Sequence, residues 1–225
     1  TLSCKKDNST PTNTPPPASK LLTKITKKEG NVTTVFNFNY DANKRLQSFK
    51  SADGQTGVTF TYDANGNLVK LEDMEDDLTN VYTYVYANGL PVSGTFKSWQ
   101  KTAGEPDYLV EDDQLTYTVT NGQVTKIHLA FGQTADSEDF TLSYGANGNL
   151  SKVVAANGGY TANFTLGTKK PVFPQVTNFV LDQAGLSYQF AAKNELLTIV
   201  FDFPGTQFDQ TISNQYTYDA EGYVL

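Results

Sequence analysis

Cysteine occurs once in the 225 residues, at Cys4, and histidine once, at His128. A lone cysteine closes no internal disulfide, and one copy of each residue cannot build a zinc site from Cys and His. With a single imidazole and no GxSxG elbow, a Ser-His-Asp arrangement has no support, and no cofactor is expected. No apolar run reaches the roughly 18 residues that a membrane-crossing helix requires. Positive charge is also short: Lys and Arg number 17 against 24 Asp and Glu, for a formal charge of -7. No Lys/Arg run interrupts the body of the chain, so nucleic acid is not an expected partner.

Aromatic residues are what the chain has in quantity, with 13 Tyr and 14 Phe. They must fill much of the interior in place of Leu and Met, and they favour strands. The length suits one large all-β domain, expected over residues 21–225.

A recurrent unit organises that domain. "FNFNYDANKRLQSF" (36–49), "VTFTYDANGNLVKL" (58–71), "VYTYVYANGLPVSG" (81–94), "DFTLSYGANGNLSKV" (139–153) and "NQYTYDAEGYVL" (214–225) share one plan, with "LTYTVTNGQVTKI" (115–127) as a looser member. In Val58-Thr59-Phe60-Thr61-Tyr62 large side chains alternate with threonine, which puts Val58, Phe60 and Tyr62 on one face of a strand. Asp63-Ala64-Asn65-Gly66 then fits a type I turn closed by a glycine bulge. Asp63 accepts backbone N–H groups there, and Gly66 takes positive φ without a Cβ penalty. Leu68 begins the return strand. Each unit is therefore expected to be a β-hairpin, and its marked residues to be turn formers, not a site.

Tyr62-Asp63 with Gly66, Asn67 and Leu68 resembles the YD repeat of RHS-like proteins. Tyr40-Asp41 with Leu46, Tyr144 with Gly148-Asn149-Leu150, and Tyr218-Asp219 with Gly222 match it in part. Lys44 stands where Gly is expected, and Ala87 and Gly145 replace the Asp. The resemblance implies a twisted or curved antiparallel meander of repeated β-hairpins, and it carries no catalytic motif. It is specifically similar to small Gram-negative envelope lipoproteins bearing such repeats, in which a sheet carries a helical insertion.

The amino terminus reads the same way. Leu2, Ser3 and Cys4 resemble the end of a lipoprotein signal peptide, and a polar stretch rich in Pro, Ser, Thr and Asn follows, unable to bury enough apolar surface to fold. Residues 1–20 are thus expected to be a lipid-bearing tether acylated at Cys4. Stable attachment then comes from more than one acyl chain, at about 0.8 kcal/mol per buried methylene. The implied address is the outer membrane, with contact to the membrane through that lipid alone. The final unit breaks off at Val224-Leu225, which leads to the expectation that the repeat continues beyond it.

Alternation fails over 171–205. Val176, Phe179 and Val180 fall at helical spacing after Pro174, so a short helical insertion is expected around 174–193, capping the open edge or filling the concave side of the sheet. The stretch 94–115 reads as a long hairpin with a polar tip. It holds the only tryptophan, Trp99, and Tyr108 across the loop. This pair is the candidate ligand site, for stacking on a glycan, weighed against a cross-strand pair that staples the ribbon. The acids 72–77 and 111–113 read as solvated loops. Asp63, Asn65 and Asn67 echo the opening of a calcium loop, but Gly66 comes too early and Met74 stands where its Glu should be. A carboxylate hydrolase is the remaining catalytic alternative; its acid separation is not readable from sequence. The expected role is a non-catalytic binding or structural module, with a glycan or an envelope protein as partner.

Overall fold

The computed structural model describes residues 20–75, 77–183 and 186–225, so Cys4 and the tether lie outside the described residues. The strands are β1 (Lys24–Glu29), β2 (Val32–Tyr40), β3 (Leu46–Ser51), β4 (Gly57–Tyr62), β5 (Leu68–Met74), β6 (Leu78–Ala87), β7 (Leu90–Gln100), β8 (Tyr108–Thr120), β9 (Gln123–Ala130), β10 (Ser137–Tyr144), β11 (Leu150–Ala155), β12 (Thr161–Leu166), β13 (Leu196–Asp202) and β14 (Gln210–Ser213). One helical turn, α1 (Ser187–Ala191), separates β12 from β13. All 14 strands lie in one sheet in sequence order, and every described neighbour pair is antiparallel. The all-β meander expected from the repeats is the observed fold.

Register sorts the side chains into an apolar inner face and a polar outer one. The row Phe60, Leu71, Tyr82, Phe96 runs inward across β4 to β7. One residue along each strand, Thr61, Lys70, Thr83, Thr95 and Gln114 face outward. Because strand side chains alternate faces, this division follows from the alternation of aromatics with threonine.

The sheet curls because its ladders slip at the same place in successive hairpins. Six of the seven register shifts among the described residues, at Asn39/Tyr40, Thr61/Tyr62, Val85/Tyr86, Thr118/Val119, Ser143/Tyr144 and Thr165/Leu166, fall at the end of the sheet that carries the Tyr-Asp turns; the seventh, at Ser98/Trp99, lies at the other end. An extra residue on one strand bends it and increases its twist, so bulges repeated at one end accumulate into curvature. The edges β1 and β14 do not pair. They are drawn together instead by the last turn, where Lys20 Nζ meets Asp219 at 2.7 Å and Glu221 at 3.0 Å.

The concave side is filled by the excursion 167–195, a strap that leaves β12 and returns to β13 although those two strands pair directly. Phe190, Leu181, Val176 and Val180 are buried on the inner face. Each such side chain contributes about 1.5–3 kcal/mol of burial. Phe190 stands edge-on to Phe60 at 4.8 Å and beside Phe173 at 5.4 Å. The helical part of the insertion is shorter than its spacing suggests. Val176, Phe179 and Val180 are packed inward from irregular backbone, because residues there bond to other parts of the strap, as Val176 N does to Phe190 O, instead of to their own turn. Ser187 Oγ accepts the N–H groups of Leu181 and Asp182, while the Asp182 carboxylate accepts those of Leu186 and Ser187. These bonds tie the strap to the first turn of α1, whose N-cap Leu186 makes no side-chain cap of its own.

A second difference concerns the acids read as solvated loops. Asp73 and Asp113 sit within β5 and β8 on the inner face, with Asp73 only 9% exposed, because strand alternation continues through both acidic runs. Burial, followed by the nearby charge of Glu75, raises the Asp73 carboxyl to a pKa of about 6.

Candidate functional site beneath the strap

The turn residues singled out from sequence form one end of the sheet. Asp63 accepts the N–H groups of Asn65 and Asn67 and the Asn67 side-chain amide at 2.9, 2.8 and 2.9 Å, and Gly66 has φ of +88°. The Asn67 side-chain bond is the main cause holding the Asp63 carboxyl below its usual range. Asp219 repeats the arrangement with Glu221 N and Tyr223 N, and adds Lys20, which lowers it to about 2. Gly222 and Gly148 occupy the positive-φ position of their own turns. Lys44 takes that conformation despite its side chain, with φ of 63°.

The motif tyrosines have a separate role. Tyr40 Oη donates to Leu22 O, Tyr62 to Leu46 O and Tyr144 to Val124 O, at 2.7 to 2.8 Å; in the last unit Tyr218 donates to the Glu195 carboxylate at 3.1 Å, and Tyr216, two residues earlier, to Leu196 O at 2.9 Å. For Tyr62, Tyr144 and Tyr216 the acceptor belongs to a strand of the hairpin before, so the phenol stitches successive units together. Central hairpins are built differently: Asn88-Gly89 and Asn121-Gly122 both have positive φ, the two-residue type I′ geometry that needs no Asp.

Of the two units that lost the Asp, the one with Gly145 anchors the strap. In Tyr144-Gly145-Ala146-Asn147-Gly148-Asn149, no carboxylate is available to hold Asn149 as Asp63 holds Asn67. Asn149, 3% exposed, instead donates to Asn194 Oδ1 and accepts Lys193 N, both at 2.8 Å, and so anchors the end of the strap to the β10–β11 turn. The strap's base is closed by Glu195, which accepts Lys169 N at 2.6 Å and Tyr218 Oη at 3.1 Å. A Cβ at Gly167 would overlap the Glu195 carboxylate, so a larger residue there would have to displace that side chain. From the sheet, Tyr117 and Tyr160 donate to Leu181 O and Gln183 O.

Between the strap and the inner face of β9 to β13, at the turn end, lies a cavity of about 310 Å³. Its walls include Phe164, Val180, Tyr188, Leu196 and Tyr216, with Lys193 among the lining residues. Several polar wall groups are engaged: Tyr144 and Tyr216 in the stitches above, Asn194 with Asn149 and Lys169 O, and Asn214 with Leu196 O. A concave, partly open space with apolar and polar side chains in its wall is the ordinary form of a small-molecule seat. A second, more open groove of about 590 Å³ lies at the opposite end, between Phe131, Tyr160 and Phe203.

Trp99 and Tyr108 are not brought together. Trp99 pairs with Leu109 and Gln100 with Tyr108, across a register shift at Ser98/Trp99. Neighbouring strand residues point to opposite faces, so Tyr108 shares a face with Gln100 and not with Trp99. Tyr108 is 67% exposed, and the pair forms neither a joint platform nor a ring contact. His128 lies on the outer face with Nδ1 2.8 Å from Asp139. Among the described residues no group of His, Cys, Asp and Glu is arranged to hold a metal ion. Sequence reasoning missed Asn149, Lys193 and Glu195; the replacement of Asp by Gly145 was the one available signal.

The hairpin geometry and its sequence coincide over the pair that ends in β5. Residues 40–73 match the RHS repeat. This RHS repeat is the YD unit recognised in the sequence, and its best-formed turn is the Asp63–Asn67 turn. No curated protein matches the chain. Among solved structures, the fold is similar to a porin-like protein from Bacteroides vulgatus, 14% identical, covering 89% of this chain and 88% of that one, with a TM-score of 0.53. A porin-like protein from Bacteroides uniformis matches at 15% identity over 89% and 85%, with a TM-score of 0.45. At such identity the likeness concerns the fold.

Proposed function

We propose that this protein is a non-catalytic binding module of the cell envelope, held at the outer membrane by a lipid on Cys4, with its ligand seat beneath the strap. The observation that carries the reading is the distribution of polarity. A membrane-spanning barrel presents an apolar band to lipid and a polar lumen. This sheet has the reverse, a filled aromatic interior and an outer lattice of threonine with the ion pairs Lys70–Glu72, Lys97–Asp112 and Lys126–Asp139. Its outer surface suits water, so residence at a membrane requires a separate attachment, and the Leu2-Ser3-Cys4 sequence supplies a candidate. The structural likeness to porin-like proteins and the RHS repeat both fit an envelope protein whose sheet is a scaffold.

Of the inner-face acids, Asp73 and Glu111 are too far apart to act as a hydrolase pair. Asp73, Asn80, Ser98 and Glu111 form one cross-strand row, which sets the Asp73 and Glu111 backbones about 14 Å apart at ~4.8 Å per strand. Glycosidase carboxylates stand about 5–9.5 Å apart across their substrate. The cavity beneath the strap has no acid among its described lining residues, whereas the more open groove includes Asp136 and Glu138.

Fractionation tests the proposal. The natural chain should sediment with membranes, and Cys4→Ala should release it into the aqueous fraction as a folded protein. Retention of Cys4→Ala as an integral membrane protein, or ion conductance in a planar bilayer, would contradict it.

A further inference from the structure

We infer that the cavity beneath the strap selects a small amphipathic anion: an apolar body lodged between Phe164, Tyr188 and Leu196, and a carboxylate that meets Lys193 at the rim. The inference rests on the binding reading above and specifies its ligand.

Three observations lead to it. The cavity, about 310 Å³ and walled by aromatic and aliphatic side chains from both the sheet and the strap, is at the small end of the range for ligand pockets. Four of its polar wall residues, Tyr144, Asn194, Asn214 and Tyr216, are already committed to carbonyls or to another amide, which reduces what is left to recognise a ligand with many hydroxyls. Lys193, by contrast, makes no ion pair among the described residues, in a chain whose acids outnumber its bases.

The position of that ammonium is built, and is not an accident of a surface lysine. Asn149 holds the Lys193 backbone through the N–H bond at 2.8 Å. The side chain then folds back over the neighbouring turn, where Gly148 lacks the Cβ that would overlap Nζ. Both features belong to the Gly148-Asn149 pair of the degenerate hairpin unit, and together they keep the charge at the cavity's rim. An anion there gains a charge-assisted hydrogen bond at the edge of an apolar space, while its tail removes apolar surface from water. The nearest strap carboxylate, Glu195, is occupied with Lys169 N and Tyr218 Oη.

The test is calorimetric titration of the full chain with decanoate, decanol and decyltrimethylammonium, which share a tail and differ in head charge. Decanoate should bind roughly tenfold more tightly than decanol, the scale of one charge-assisted hydrogen bond. The cation should bind least. Lys193→Met should remove the preference for decanoate while leaving decanol affinity within about twofold, and Ala192→Phe, which narrows the cavity, should weaken both. Circular dichroism confirms that each variant is folded. Equal binding of decanoate and decanol, or a preference that survives Lys193→Met, overturns the anion assignment and leaves the cavity as a seat for neutral ligands. Failure of all three probes with the folded natural chain overturns the inference. Neither result bears on membrane attachment, which the Cys4 fractionation decides separately.

Discussion

Removing one hydroxyl at a time separates the stitching tyrosines from those that only fill space. Tyr62 Oη lies 2.7 Å from Leu46 O and Tyr144 Oη 2.8 Å from Val124 O, each joining neighbouring hairpins. Tyr84 is 4% exposed, yet its hydroxyl is buried without a hydrogen-bond partner among the described residues. Phenylalanine keeps the ring in every case, so packing is nearly constant and only the hydroxyl changes. A net hydrogen bond is worth about 1 kcal/mol, and a partly buried carbonyl left bare adds to the loss, so Tyr62→Phe and Tyr144→Phe should each destabilise by about 1–2 kcal/mol. Tyr84→Phe removes a desolvated group that gains nothing in return, and should stabilise by about 0.5–1 kcal/mol. Urea unfolding of the full chain, with slopes compared to confirm unchanged surface exposure, reads these differences directly. In thermal melts the first two should fall by about 3–6 °C, and the third should rise slightly. A loss for Tyr84→Phe as large as that for Tyr62→Phe, or no loss for Tyr62→Phe, would refute the assignment of stitching to the motif phenols.

Other outcomes follow from the same structure. Lys44→Gly should stabilise by a few tenths to about 1 kcal/mol, since a lysine held at φ of 63° pays a Cβ penalty that glycine does not; a destabilised variant in urea unfolding would argue against it. For Asp73 the folded pKa of about 6 lies above the unfolded value of 3.8, so its contribution favours folding below pH 4 and is lost as pH rises through 6. Asp73→Asn should therefore raise stability at pH 8 by about 1–2 kcal/mol, after discounting for residual solvent contact, and change little at pH 4. Burial raises the phenol pKa values of Tyr62, Tyr144, Tyr160 and Tyr188, so stability present below pH 10 should be lost as pH rises past it. Absorbance at alkaline pH should show most phenols ionising together on unfolding, and independent titration near 10 would contradict their burial.

Asn149 shows how a departure from the repeat carries tertiary information. In the Asp63 unit the motif is locally complete: Asp, Gly and Asn bond to one another within five residues, and the turn can be derived from them alone. In the Gly145 unit the Asn149 backbone N–H still meets Asn147 Oδ1 at 3.1 Å, but its side-chain amide, with no carboxylate in the turn, reaches Lys193 and Asn194, more than 40 positions away. Sequence spacing marks the vacancy but does not name the occupant. Trp99 and Tyr108 illustrate the converse. Their proximity across a hairpin was legible, whereas the slip at Ser98/Trp99 that sends them to opposite faces depends on how the strands pair.

Strand identity, hairpin order and the division into an aromatic and a threonine face were determined by the sequence itself, because each depends on period-two alternation and on turn chemistry within a few residues. Curvature, the seating of the strap, the burial of Asp73 and the cavity rimmed by Lys193 were decided only by the folded whole. Each requires residues far apart in the chain to meet, and the free energy of those meetings is set by register and packing, which no local window contains.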